Sequence, residues 1–553
     1  MAKIILSINA GSSSVKISVY TASSGSDPVQ LAETQIDGLT SPPPHLKYAR
    51  GSQSVSKDQK LHEECTSQKD AFRYMLKMLV DDSEFPHIAR REDIAIVCHR
   101  VVHGGDFVTP QIIDEETYHK LQDLTDLAPL HNASALEIVR LCIEEMPQTR
   151  NVAVFDSEFH QTLPEHIRTY PINQDIARKN KLRKYGFHGI SYSFITRSVA
   201  EYLGKKETET SLIVLHLGSG ASACAVKNGK SWDTSMGLTP LAGLPGATRS
   251  GSVDPGLVFH YASDVGKLSP SSTKELHLTR AEEILNKESG WKSLTGTTDF
   301  GTIATSTDLK MRLAFDILLD RIMNYVGGYY VSLHGNVDGL VFAGGIGEKS
   351  ALLRRRVAEE ANCLGFEIDT EKNGRKIEGV VQDVGREGAR HRLLVCQTDE
   401  QFEMARSCTV DLAIDYRAKV MPLLRISAIL AGQIEYVMSQ RKAVKMAFLI
   451  GGFGAQPPTW TGTRYPTTHV FNAFTTYHAS AIDEPLFFCE KVLFVTVVAT
   501  ESRHAATHPQ DKDARVAGKI VIDMRYMRDE GGTQPTFTEP GGFGVVHSLQ
   551  DGG

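Results

Sequence analysis

Two arginines stand where a fold would have little use for them. Arg100 closes the apolar run Ile94-Ala95-Ile96-Val97-Cys98-His99 and opens Val101-Val102-His103-Gly104-Gly105, while Arg249 sits inside Gly246-Ala247-Thr248-Arg249-Ser250-Gly251-Ser252. A guanidinium stays charged and donates two parallel hydrogen bonds, so it reads planar carboxylates and phosphates. A solvated surface arginine is the general alternative, but arginines set among glycines at strand ends favour anion binding. Two turns of small residues offer donors for the same chemistry: Asn9-Ala10-Gly11-Ser12-Ser13-Ser14-Val15-Lys16 and His216-Leu217-Gly218-Ser219-Gly220-Ala221-Ser222. Small residues let backbone N–H groups approach phosphate oxygens closely, and serine hydroxyls add to them. By alternation Ser12, Ser14 and Lys16 share one face. A single such turn reads as an ordinary polar turn. A second of the same plan, also preceded by an apolar strand, points to two similar domains facing each other across a phosphate-bearing ligand.

Three further segments pass abruptly from apolar to polar: Leu130-His131-Asn132, Phe155-Asp156-Ser157-Glu158-Phe159-His160 and Tyr185-Gly186-Phe187-His188-Gly189. Each histidine alone is as readily a satisfied structural residue as a catalytic one. His99 and His103 have the spacing of a metal pair but lack the glutamate of an HExxH helix and lie in a strand context, so they are not read as ligands. A Walker A loop would need glycine where Cys224 precedes Gly229-Lys230-Ser231, and the dinucleotide fingerprint fails at Ser350 after Gly345-Ile346-Gly347. Any nucleotide is therefore held by another glycine arrangement.

The elements that must carry these groups alternate in period between helix and strand from residue 3 to about 406, which predicts an α/β architecture. Strands are expected at Ile4 to Ile8, Val15 to Tyr20, Ile94 to Cys98, Val152 to Phe155, Leu212 to Leu217, Gly339 to Ala343 and Leu393 to Cys396. Helices are expected over 133–146, 191–203 and 310–334, and Phe72, Met75, Leu76 and Leu79 make a helical stripe. Residues 40–60, with Pro42-Pro43-Pro44, read as a surface loop. Beyond Arg406 the character changes. Residues 408–553 offer no catalytic cluster, and an extra small domain, a partly ordered extension and a segment not normally fused to the rest stay open.

A chain of 553 residues with 41% hydrophobic and 23% charged content is long and apolar enough for two or three buried cores. The formal net charge of −6 gives no bulk attraction to nucleic acid or anionic membrane, so an anion needs a local cationic cluster. The eight cysteines carry no CxxC pair and read as reduced core thiols. Ile4-Ile5-Leu6 is too short for a signal peptide and no run reaches a membrane span, which makes the expected location cytoplasmic.

Asn9 to Lys16 and His99 to Gly105 resemble the two signature motifs of the acetate kinases. The likeness continues in family order through Ala128 to Asn132, Phe155 to Thr162, Lys184 to Gly189, His216 to Ser222, Thr234-Ser235-Met236-Gly237, Gly246 to Pro255, Ala343 to Glu348 and Thr398-Asp399-Glu400. The resemblance implies two duplicated actin-like, ribonuclease H-like α/β domains with the active site in the cleft, plus a C-terminal extension of unknown structure. The first domain is 1–157, completed by about 398–407. The second is 158–397, with nucleotide binding and dimerisation, and 408–553 is the extension.

The resemblance also implies a homodimer that binds acetate and ATP with Mg2+, and in reverse acetyl phosphate and ADP. Neither nucleic acid nor membrane is a partner. The carboxylate attacks the γ-phosphoryl group in line, without a phosphoenzyme. Carried over by position, Arg100, Asp156, Arg249, His188 and His131 are catalytic, with His188 on the phosphoryl oxygens and His131 in support. Arg100, Val102, Leu130, Phe187 and Pro240 bind the carboxylate substrate. Asn9, Ser12, Ser14, Lys16, His216, Gly218, Ser219, Gly220, Ser222, Gly345, Gly347 and Glu348 bind nucleotide, and Asn9 and Glu400 belong to the magnesium site. Acetate is already ionised at neutral pH, so catalysis needs positioning and charge neutralisation rather than a base.

Four positions depart from the family pattern: Ser219 and Lys349 where asparagine is common, Ala247 for glycine and Tyr192 for histidine. The alternatives are a kinase of a longer carboxylate, a pyrophosphate-linked enzyme, or a non-catalytic actin-like nucleotide-binding protein.

Overall fold

The computed structural model describes residues 2–11, 13–23, 26–39, 43–61, 65–127, 129–261, 268–269, 272, 279–409 and four strands between 468 and 537. Side chains of 126–131, of 261 and of the four late strands lie outside that description. The chain divides into two compact units, Met1–Lys419 and Val420–Gly553.

Within the first unit, apolar alternation builds a sheet from β1 (Lys3–Ala10), β2 (Ser14–Ala22), β3 (Val29–Asp37), β4 (His45–Arg50), β5 (Gln53–Lys60), β6 (Ile94–Val101), β7 (Gln111–Ile112) and β8 (Arg150–Phe155). Their spatial order is β5-β4-β3-β2-β1-β6-β8-β7. A second sheet holds β9 (Leu212–Leu217), β10 (Ala221–Lys227), β11 (Lys230–Thr234), β12 (Gly339–Ala343), β13 (Val381–Asp383) and β14 (Arg392–Cys396), in the order β11-β10-β9-β12-β14-β13. Four central strands of each sheet repeat one plan. β1 pairs antiparallel with β2 and parallel with β6, and β6 runs parallel to β8; β9 likewise pairs antiparallel with β10 and parallel with β12, and β12 runs parallel to β14. These are two ribonuclease H-like lobes of an actin-like fold. Parallel strands need both faces covered, and β9, Leu-Ile-Val-Leu-His-Leu, is buried at every position.

Helices supply the cover. The expected stripe of Phe72, Met75, Leu76 and Leu79 is buried on the helix Gln68–Asp81, which starts at a capping box between Ser67 and Asp70. The other expected helices lie at Pro129–Glu145, Gly189–Tyr202 and Leu309–Ser332. Residues 40–60 are a correction: 45–60 form the hairpin β4–β5 rather than a loop. β5 is exposed at nearly every position and polar except for Val55, so no apolar alternation marks it; only Leu46 and Tyr48 of β4 are buried.

The fold brings one pair of cysteines together: Cys98 of β6 and Cys408, in the helix over 400–409, meet within one core cluster, with Cα atoms 7.1 Å apart, beyond the usual span of a disulfide. Partners 310 positions apart leave no spacing signal. Cys65, Cys142, Cys224, Cys363 and Cys396 are free thiols, and Cys489 lies outside the described residues.

The second unit is an antiparallel sheet, β15 (Thr468–Thr476), β16 (Val492–Ser502), β17 (Ala517–Arg528) and β18 (Thr536–Phe537), in sequence order. Among the described residues no helix is long and apolar enough to cross a membrane.

Candidate active site between the two lobes

Strand ends carry the charged groups. β6 ends beside β8, so Arg100 at the edge of the first sheet meets Asp156, the residue after β8. Its Nε donates to Asp156 Oδ1 at 3.0 Å and its Nη2 to Oδ2 at 2.8 Å, a bidentate fork. Nη1 donates to Glu400 Oε2 at 2.7 Å, and Asn9 Nδ2 reaches the same oxygen at 3.4 Å. Asn9, Arg100, Asp156 and Glu400 therefore converge, although 391 positions separate the first from the last. Burial raises the Asp156 carboxyl above its ordinary range, opposed by the charge and hydrogen bonds of Arg100. Burial also works against the Arg100 charge, but Asp156 and Glu400 outweigh it and raise its pKa.

Helix Gly189–Tyr202 starts against this cluster. Gly189 N–H donates to Asp156 O at 2.7 Å, and a β-carbon at Gly189 would sit 2.2 Å from that oxygen, so only glycine fits. His188 immediately before it takes a left-handed conformation (φ 60°), uncommon for a residue with a side chain and a mark of a constrained position. Its ring lies 4.3 Å from that of His216 on β9. Burial, then neighbouring His216, Arg100 and Arg249, holds His188 well below its usual pKa; burial lowers His216 to about 4. Both are neutral at pH 7.

The second hairpin receives Arg249. Ala247 N–H donates to Ser219 O at 2.8 Å and Gly246 N–H to Arg249 O at 3.0 Å, docking this loop on the turn between β9 and β10. A β-carbon at Gly220 would lie 2.1 Å from Arg249 Nη2 and 3.7 Å from His188 Nε2. Arg249 and His188 thus flank one glycine, and a side chain there would displace the guanidinium. Burial and the like charge of Arg100 lower Arg249 to about 10, which leaves it cationic at neutral pH.

Other expected positions scatter around this centre. In the first turn Gly11 N–H donates to Ser14 O at 2.8 Å, and Ser12 lies outside the described residues. The Lys16 ammonium pairs with Glu33 Oε2 at 3.0 Å. Ser222 is fully buried with its hydroxyl engaged by His188 and Tyr192. Gly345 and Gly347 lie in the short helix Gly344–Lys349 after β12, and Glu348 Oε1 accepts from Thr398 N–H at 3.3 Å. Val102 and Phe187 meet in an apolar cluster with Tyr185, Met236 and Leu238; Pro240 is buried nearby in sequence but is not one of its members. The side chains of Leu130 and His131 lie outside the described residues.

Several contributors went unassigned in the sequence. Met236 lies within Thr234-Ser235-Met236-Gly237 and Leu238 follows it, with nothing in their spacing to mark a pocket wall. Arg354 is fully buried and donates to the carbonyls of Gly347 and Glu348 and to Asn373, holding the glycine helix in place. A lone arginine on a helix gives no sign of burial. His99 and His160 are structural: His99 Nε2 meets Asn151 Oδ1 at 2.9 Å, and His160 meets Ser231 Oγ and Phe187 O.

Of the two arginines only Arg100 stands at a strand end; Arg249, expected at one, lies in a loop docked on the turn between β9 and β10. Paired ribonuclease H-like lobes that bring these two cations together fit a phosphotransferase of the kind that phosphorylates a carboxylate. The chain belongs to the acetokinase family, whose model matches residues 4–406. It is similar to a protein of Chaetomium globosum named probable acetate kinase, 59% identical over 452 residues, covering 74% of this chain and 98% of the relative. Among solved structures it is similar to the Porphyromonas gingivalis acetate kinase, with TM-score 0.62 and 32% identity over 74% of this chain and 99% of the other. A propionate kinase of Francisella tularensis gives TM-score 0.63 and 33% identity over 73% and 98%.

Proposed function

We propose that the chain transfers the γ-phosphoryl group of ATP to acetate, reversibly, by direct in-line attack of the carboxylate. The observation that carries this reading is the placement of Arg100 and Arg249 at the facing ends of the two lobes, with neutral His188 between them. An ionised acid needs no base, so the rate enhancement rests on orientation and on donors aimed at the equatorial phosphoryl oxygens. Arg100, locked by Asp156 and Glu400, orients the carboxylate; Arg249 and His188 meet the transferring group. Val102, Phe187, Met236 and Leu238 enclose the methyl group, with Leu130 and Pro240 assigned to the same wall by position. One extra methylene changes binding by only about 1–3 kcal/mol, so propionate is a slower substrate rather than an excluded one.

The donor set fits Mg2+. Glu400 and Asn9 converge at the first hairpin, with Asp156 beside them across Arg100. Among the described residues no group of three or more His, Cys, Asp or Glu forms a cage. Magnesium is normally held by one or two carboxylates together with waters and substrate phosphates. When bound it neutralises phosphate charge. Asn9 and Glu400 would hold it, and Asp156 fixes Arg100 beside it. The turns Gly11 to Ser14 and Gly218 to Gly220 receive phosphates, and Gly345, Gly347 and Glu348 lie at the adenosine end. Lys16 serves the phosphates after leaving Glu33.

A cytoplasmic homodimer completes the proposal. The helix Leu309–Ser332 supports it by exposing Leu309, Leu313 and Val331, an apolar set that a second copy would cover. The test is a hydroxylamine trap for acyl phosphate. Acetate with ATP and Mg2+ should give acetohydroxamate at a higher rate than butyrate or than pyrophosphate as donor. No hydroxamate from ATP, or faster reaction with pyrophosphate, overturns it.

A further inference from the structure

His188 can help a phosphoryl oxygen only if the nitrogen facing the cleft carries a hydrogen. A neutral imidazole has one N–H, and its place depends on what the other nitrogen meets. His188 Nε2 is the nitrogen beside Gly220 and Arg249. Nδ1 lies 2.8 Å from Ser222 Oγ, and Ser222 Oγ lies 2.5 Å from the Tyr192 hydroxyl.

Local structure makes this chain of groups. Tyr192 N–H donates to His188 O at 2.9 Å, so the two residues are one helical turn apart on the same face. Ser222 faces them from β10, paired in register with His216. Tyr192 and Ser222 are both fully buried, which excludes water as a competing partner.

The direction of the hydrogens follows by elimination. Among the described residues Ser222 Oγ is the side-chain partner the buried Tyr192 hydroxyl meets, so a phenol hydrogen turned elsewhere would be buried without an acceptor. Burial meanwhile keeps the phenol protonated. Its own hydrogen is therefore directed to Ser222 Oγ. Ser222 has one hydrogen and spends it on His188 Nδ1, which must accept. The imidazole proton is left on Nε2.

We propose that Tyr192 is a positioning residue which, acting through Ser222, holds His188 as the Nε2–H tautomer and so presents a fixed donor to the transferred phosphoryl group. Without the phenol the Ser222 hydroxyl can turn and accept from Nδ1–H. Nε2 then shows a lone pair to negative oxygens. Ser222, expected on a phosphate, acts through the histidine instead. The inference deepens the proposed reaction and rests on it for its role, although the tautomer stands independently.

Tyr192→Phe removes only the hydroxyl. With 15N-histidine labelling and the His188 signal identified by its loss in His188→Gln, the wild-type protein should show the proton on Nε2, and Tyr192→Phe a mixture or Nδ1–H. In the acyl-phosphate assay the variant should lose about tenfold or more in kcat, with KM for acetate and ATP within about twofold, as expected for a contact made in the transition state. A wild-type His188 protonated on Nδ1 overturns the proposal even if Tyr192→Phe fails to fold. So does a Tyr192→Phe enzyme with wild-type kcat, or one whose activity falls while the tautomer stays the same. A tautomer change in a protein that makes no acyl phosphate would leave the relay intact and refute the reaction.

Discussion

At the scale of single residues the site is a problem in charge. Arg100 is tied to two carboxylates, whereas Arg249 reaches the same region from a loop. Their loss should differ in kind. Arg249→Ala should cut kcat about 10³-fold or more with the thermal midpoint little changed. Arg100→Ala should lose activity as strongly and also destabilise by about 3–5 kcal/mol, because it strands the buried Asp156; a denaturant titration beside the kinetic assay separates the two. The charged groups were legible because arginine among glycines has no easy structural explanation. Tyr192 was visible only as an odd residue, since its meaning depends on Ser222, thirty positions away. The buried histidines give a pH prediction. Burial lowers His99, His103, His160 and His216 to about 4 from 6.5. Between those values the unfolded chain binds the proton and the folded one does not, so stability falls as pH drops from 6.5 toward 4. Each contributes up to about 1.4 kcal/mol per pH unit, and urea midpoints at pH 7.5 and 5.5 should show the loss.

At the scale of elements, glycines decide where strands and helices approach. Gly189→Ala would press a β-carbon onto Asp156 O, so the start of the helix Gly189–Tyr202 must move, and His188 with it. The expected result is a loss of about 2 kcal/mol or more in stability together with most activity, read by thermal unfolding and the hydroxamate assay. A fully active, equally stable variant would show that helix start and strand end are less tightly coupled than the geometry requires. Elements with continuous apolar runs, such as β9 and β12, were readable from sequence because strands covered on both faces leave that signature. The hairpin β4–β5 was not: β5 is a polar edge strand that backbone pairing holds, and pairing leaves no mark in composition. The same limit applies to the meeting of Cys98 with Cys408 in the core, which only the folded path of the last helix brings together.

At the scale of the molecule, the repeated strand order explains why two hairpins of one plan recur in the sequence, each turn lying at the same end of its sheet. The family match ends at 406, while the helix that buries Gln401, Glu403 and Met404 continues to 409. A chain ending at Thr409 should therefore be soluble and active in the hydroxamate assay. Aggregation would make the second unit a necessary part of the fold. The central claim is that Arg100 at a strand end of one lobe and Arg249 on a loop of the other hold a small ionised acid against the terminal phosphorus of a nucleotide. Its most direct measurement is a crystal structure with acetate, ADP, magnesium and an aluminium fluoride mimic of the phosphoryl group. The account predicts the acetate carboxylate against Arg100, and the fluoride equator against Arg249 and His188 Nε2. Acetate bound elsewhere, with the two guanidinium groups turned from the mimic, would contradict it.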